Sequence, residues 1–91
     1  MIKLVNIDLS KVNLTTQIFK AIEEQKELYG AVGGYICKED TKEHVIEEYW
    51  DSMQSLIGVL QKVGISAEEI MEHYPKHLKK MSHRPRDKEE K

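Results

Sequence analysis

The chain has 91 residues, with 14 Lys and Arg against 16 Asp and Glu, and a net charge of −2. That length holds one small domain, and a chain that is 40% hydrophobic and 33% charged folds rather than staying disordered. The slightly acidic balance argues against a nucleic-acid binder, and the single cysteine, Cys37, excludes an internal disulfide framework and a multi-cysteine zinc site.

The opening stretch MIKLVNIDL has no basic region followed by a long apolar run, so it does not read as a secretory signal. Ile2, Leu4, Ile7 and Leu9 alternate incompletely, and Asn6, Asp8, Ser10 and Asn13 interrupt them. This predicts an extended arm over residues 1–14. A lone strand has no sheet to join here, so the arm is expected to pack over helices.

A first helix is predicted over residues 15–29, where Ile18, Ala21, Ile22, Leu28 and Tyr29 recur at helical spacing. Asn13, Thr15 and Thr16 are candidate caps for its start, and Gly30 is expected to end it. A glycine-rich loop is expected over 30–39, with Tyr35, Ile36 and Cys37 packing it down. Its G-A-V-G-G run lacks the Lys-Ser/Thr ending of a phosphate loop. Cys37 reads as a small buried hydrophobe rather than a nucleophile.

A second helix is predicted over residues 41–63, with Asp40 as its cap and Glu43 three residues on. Ile46, Tyr49, Trp50, Met53, Leu56, Ile57, Leu60 and Val63 form one long apolar stripe. Beside it runs a second stripe of His44, Glu48, Asp51, Ser55 and Gly58, small enough at its end to admit another helix. The longest apolar stretch lies around Leu56 to Leu60 and is far too short to span a bilayer. A cytoplasmic protein with no membrane partner is therefore expected. Gly64 is expected to stop this helix. A third opens at Ser66, where Ser66 and Glu69 form a capping box and Ile65 and Ile70 fit a hydrophobic staple. Pro75 predicts a kink or restart. The chain is expected to divide into one helical domain over residues 1–81 and a charged, disordered tail over 82–91. Met53 and Met71 are expected in the core, and His73, His77 and His83 on the surface.

Two acidic clusters stand out: Glu23, Glu24 and Glu27 in the first helix, and Glu47, Glu48 and Asp51 in the second. Glu24 with Glu27, and Glu48 with Asp51, are each three apart and project from one helical face. Two neighbouring antiparallel helices would aim four carboxylates at one point. Like charges so placed repel, so a hard divalent cation among them is the natural complement. Glu-x-x-His, the mark of ferritin-like di-iron sites, is absent. The plainer reading is a solvated helix face on which Lys20 and Lys26 pair with neighbouring glutamates.

The pattern I-E-E-Q-K-E-L at 22–28, followed after a spacer by I-E-E-Y-W-D at 46–51, resembles the MazG family of all-α nucleoside triphosphate pyrophosphohydrolases. The continuation L-Q-K-V-G-I-S-A-E-E-I is similar to that family as well, and the resemblance covers residues 18–80. It implies a magnesium-dependent enzyme, with manganese as a substitute, that splits a nucleoside triphosphate between the α- and β-phosphates. Glu24, Glu27, Glu48 and Asp51 would be the metal ligands, and Glu23 and Glu24 the catalytic carboxylates. The family carries a Lys and an Asn after the third helix start; here Met81 falls near the Asn position. Lys76, Lys79, Lys80 and Arg84 offer positive charge to phosphates, or else complement the helix end. Trp50 is a base-stacking platform or an apolar contact. The architecture expected is all-α, three main helices with an irregular arm, completed as a bundle by a homodimer or higher homo-oligomer through the second helix. The alternatives are a non-catalytic helical interaction module of phage or mobile-element type, and a degenerate family member that binds nucleotide or metal without turnover.

Overall fold

The computed structural model describes residues 3–83, which form four α-helices and irregular chain without a strand. In chain order these are α1 (Leu14–Ile36), α2 (Lys42–Lys62), α3 (Ala67–Glu72) and α4 (Tyr74–Ser82). Ile2, Arg84 and the tail after His83, for which disorder was expected, lie outside the described residues.

Asn13 caps α1: its Oδ1 accepts the Thr16 N–H at 2.7 Å, satisfying an amide that would otherwise lack a partner. The helix does not stop at Gly30. It runs on through Gly33 and Gly34 to Ile36, so the expected loop shrinks to a short connection. Lys38, not a glycine, makes the stop. Its φ of 64° is left-handed, and the N–H groups of Lys38 and Glu39 donate to the carbonyls of Tyr35 and Gly34 at 3.0 and 2.7 Å. Tyr35, Ile36 and Cys37 are exposed and pack nothing down.

Thr41 caps α2 in place of Asp40, its Oγ1 accepting the His44 N–H at 3.1 Å. Asp40 instead accepts the Thr41 N–H on Oδ1 and faces the His44 ring with Oδ2. At the far end Gly64, at φ 92°, ends the helix as expected. The N–H of Gly64 donates to Gln61 and that of Ile65 to Leu60. The Ser66–Glu69 capping box opens α3, with bonds of 3.1 and 2.9 Å in the two directions. Pro75 lies in the first turn of α4, where its missing N–H costs nothing, so the expected third helix is two short ones.

Gln17 near the start of α1 reaches Ser55 late in α2, while Gly34 near the end of α1 lies against Asp40. The two long helices are therefore an antiparallel pair. Their seam is small and polar: Gln17, Ala21, Glu24 and Ala31 from α1, and Ser52, Ser55, Ile57 and Gly58 from α2. Of the long apolar stripe of α2, Ile57 enters this seam and most of the rest points elsewhere. Ile46, Tyr49, Trp50, Leu56, Leu60 and Val63 are all exposed, and Met53 and Met71 are only half-buried. Close approach decides this. A Cβ on Gly58 would lie 2.6 Å from Gln17 Nε2, a separation that large side chains in the seam would not allow. No large side chain among the described residues is fully buried. The radius of gyration, 15.7 Å, exceeds the ~12 Å of a compact chain of this length.

The arm is extended and lies over the helices. Gln61 holds Ile7 from both sides, its Nε2 donating to the Ile7 carbonyl at 2.9 Å and its Oε1 accepting the Ile7 N–H at 3.0 Å. Asn6 accepts the Ala67 N–H at 2.9 Å and donates to Glu68 at 3.1 Å. Among the described residues no helix is long and apolar enough to cross a membrane.

Candidate metal centre

Gln17, Ala21 and Glu24 recur at four and three residues along α1, so they share the face that meets α2. On α2, Glu48, Ser52 and Ser55 do the same. The antiparallel pairing sets these faces against each other. One carboxylate oxygen from each of Glu24, Glu48 and Asp51 lies within 4.8 Å of the other two, and so does one from each of Glu23, Glu24 and Glu27. Glu24 belongs to both groups. Each carboxylate singled out in the sequence falls in at least one of these two groups apart from Glu47, but Glu27 shares no group with Glu48 or Asp51, so the four expected ligands do not meet at one point.

Burial and charge differ across the cluster. The Glu24 side chain is only 9% exposed, and Lys20 Nζ lies 2.8 Å from its Oε2 and 3.7 Å from Glu23 Oε1. The bond to Glu24 raises the Lys20 pKa above its ordinary value. The Glu27 carboxyl is also raised, chiefly by the negative charge of Glu24, with burial, Glu48 and Glu23 adding to it. His44 Nε2 lies 3.1 Å from Glu48 Oε2, and its Nδ1 lies 2.7 Å from Asp40 Oδ2. Both ring nitrogens face carboxylates, an arrangement in which the protonated ring would donate to each. The Asp40 bond is the main cause of a raised pKa in the ring.

The other oxygen of Glu48, Oε1, is buried and has no hydrogen-bond partner. An unpaired buried carboxylate oxygen is costly, and a cation is one partner that would satisfy it. The donor set is all oxygen, which suits a hard divalent ion such as magnesium or manganese rather than a soft one. On both counts the residues fit such an ion.

An open cleft of about 390 Å³ adjoins the cluster, lined by Gln17, Lys20, Glu24, Asp51, Gln54 and Ser55 among others. Lys76, Lys79 and Lys80 do not line it. They surround a separate shallow depression on α4 with His83. Trp50 is 39% exposed and meets the edge of Tyr49, with ring centroids 5.2 Å apart. Gln17 and Gln54 were missed in the sequence. The signal for Gln17 was its place seven residues before Glu24, on the same helical face. Comparison with protein-family models, curated proteins and solved structures finds no match for this chain.

Proposed function

We propose that this chain is a MazG-like, magnesium-dependent nucleoside triphosphate pyrophosphohydrolase that releases a nucleoside monophosphate and pyrophosphate. The observation that carries the reading is the meeting of Glu24 with Glu48 and Asp51 across the helix seam, since these side chains come from both halves of the motif. Glu24, Glu48 and Asp51 would hold the ion, magnesium or in its place manganese, with Glu27 beside Glu24. Such an ion would supply Lewis-acid chemistry there, offsetting phosphate charge and acidifying a water. Glu23, more exposed than Glu24 and beside it, serves as the supporting carboxylate. Lys20, already at the cleft, takes the phosphate-binding part expected of Lys76, Lys79 and Lys80. Lys79 and Lys80 in the last turn of α4 complement its dipole instead.

A homodimer or higher homo-oligomer goes with this reading. Among the described residues the buried apolar ones are Ala21, Ala31, Ile57 and Ala67, too little to stabilise a fold alone, and the exposed apolar stripe of α2 is the surface a second copy would cover. A nucleotide-pool enzyme of this kind works in the cytoplasm.

The test is a pyrophosphate-release screen over canonical and modified nucleoside triphosphates with magnesium, run beside Glu48→Ala. Release by the wild type alone supports the reading. No release from any substrate counts against it. The Lys20–Glu24 pair favours a second reading, a helical interaction module whose acidic face is balanced by its own lysine. Calorimetry with magnesium separates the two, because that module takes up no ion.

A further inference from the structure

We propose that His44 is a positioning residue for Glu48, holding one carboxylate oxygen so that the other is left for a divalent cation. The inference rests on the metal-site reading above and goes beyond it, because His44 is not among the residues that the resemblance assigns to the metal.

Asp40, His44 and Glu48 follow each other at four-residue steps from the connection into the first turns of α2. That spacing stacks their side chains on one face. Asp40 is fixed at its own end, where Oδ1 accepts the Thr41 N–H at 2.7 Å. Its other oxygen fixes the ring at 2.7 Å through Nδ1. The ring then presents Nε2–H to Glu48 Oε2 at 3.1 Å. With Oε2 committed, Oε1 remains, buried and without a partner, on the residue that meets Glu24 and Asp51.

A free glutamate loses rotamer freedom when it binds an ion, and a donor that has already fixed its carboxylate reduces that loss. The same donor withholds Oε2 from the ion, so Glu48 would bind through one oxygen. This is how outer partners orient the ligands of metal sites, and their removal weakens binding by roughly 10–100-fold.

The test is Mn²⁺ binding to the full chain, read from the electron paramagnetic resonance of free Mn²⁺, in wild type, H44L, H44Q and E48Q. Each protein is also melted in chelator to show that it folds. H44L should raise the Mn²⁺ Kd about tenfold. H44Q keeps an N–H donor within reach of Glu48 and should restore the Kd to within about threefold of wild type. If H44L fails to fold, H44N takes its place, since its shorter amide stops short of Glu48 and the same loss is expected. Should E48Q lose Mn²⁺ while H44L binds as tightly as wild type, the positioning role is overturned and the metal site stands. An equal loss in H44L and H44Q overturns it too. A wild type that binds no Mn²⁺ overturns both.

Discussion

Gln17 on α1 donates its Nε2–H to the main-chain carbonyl of Ser55 on α2, at 2.9 Å, in a buried bond. That carbonyl lies within α2, so the bond links a side chain of one helix to the backbone of the other. It also occupies the space beside Gly58.

Gly58→Ala should therefore destabilise the protein by about 1–3 kcal/mol, because the new methyl displaces an amide that has no other buried partner. Gly30→Ala should do the opposite. A Cβ there meets nothing within 4 Å, and the helical glycine is replaced by a better helix former, for a gain of up to about 1 kcal/mol. Urea melts of the two variants beside wild type check the opposite signs.

Lys38 holds a left-handed backbone without the freedom of glycine. Lys38→Gly keeps both bonds of the helix stop and removes the Cβ crowding, so it should stabilise by about 1 kcal/mol. A lower melting temperature in this variant would show that the Lys38 side chain has a compensating role.

If the carboxylates share an ion, Glu48→Ala should leave metal-free stability level or raise it, since it removes a buried unpaired oxygen and a like charge. The stabilisation gained on adding magnesium should shrink, because that gain follows affinity for the folded state. Melts of both proteins with and without magnesium read the two quantities separately. Equal magnesium-induced shifts would remove Glu48 from the site.

The Asp40–His44 pair sets a pH window in the metal-free protein. The folded His44 pKa is raised above its ordinary value of about 6.5. Its contribution to stability is therefore full below that value and is lost as pH rises through the folded pKa. Asp40 is lowered, first by its bond to His44 and then by the Thr41 amide, so its contribution is present above about 3.9 and is lost as pH falls through the folded pKa. The pair contributes most between these limits. A ring titration followed by NMR should give His44 a midpoint above 6.5 in wild type, moving down in Asp40→Asn.

Association through the α2 stripe predicts a melting temperature that rises with protein concentration. Leu56→Glu, a charge placed on an exposed position of that stripe, should leave a helical monomer a little changed or cause loss of fold, and in either case abolish the concentration dependence. Sedimentation of wild type as a monomer at micromolar concentration would count against association.

The local signals were the legible ones. The Ser66–Glu69 box, the Asn13 cap and the Pro75 restart each depend on residues a few positions apart, and each is present. Glu24, Glu48 and Asp51 could also be brought together by reasoning, since spacing put them on helix faces and antiparallel pairing did the rest. The path of α1 could not. Gly30 reads as a stop because its helix penalty is local, whereas the stop is made at Lys38, which carries no glycine signal. The α2 stripe shows a related limit. Periodicity marks its apolar residues but not what covers them, and apart from Ile57 the seam went to the smaller residues that let the helices close. The four-residue spacing of Asp40, His44 and Glu48 is present in the sequence, but Asp40 also fits a helix cap and Glu48 an acidic cluster, and only the folded ring geometry joins them.

The arm has no ladder of its own. Its polar backbone groups are met one at a time by side chains: Ile7 by Gln61, Val5 by Gln54, Leu9 by Lys62 and the Leu4 N–H by the Met71 sulfur. Releasing it breaks those bonds and leaves the helical hydrogen bonds of α1 and α2 intact. The arm is therefore expected to open as a unit of its own, at a lower free energy than the helix pair. In deuterated solvent the amides of Leu4 and Ile7 should exchange well before those in the middle of α1 and α2. Their protection would then measure this partial opening rather than global unfolding.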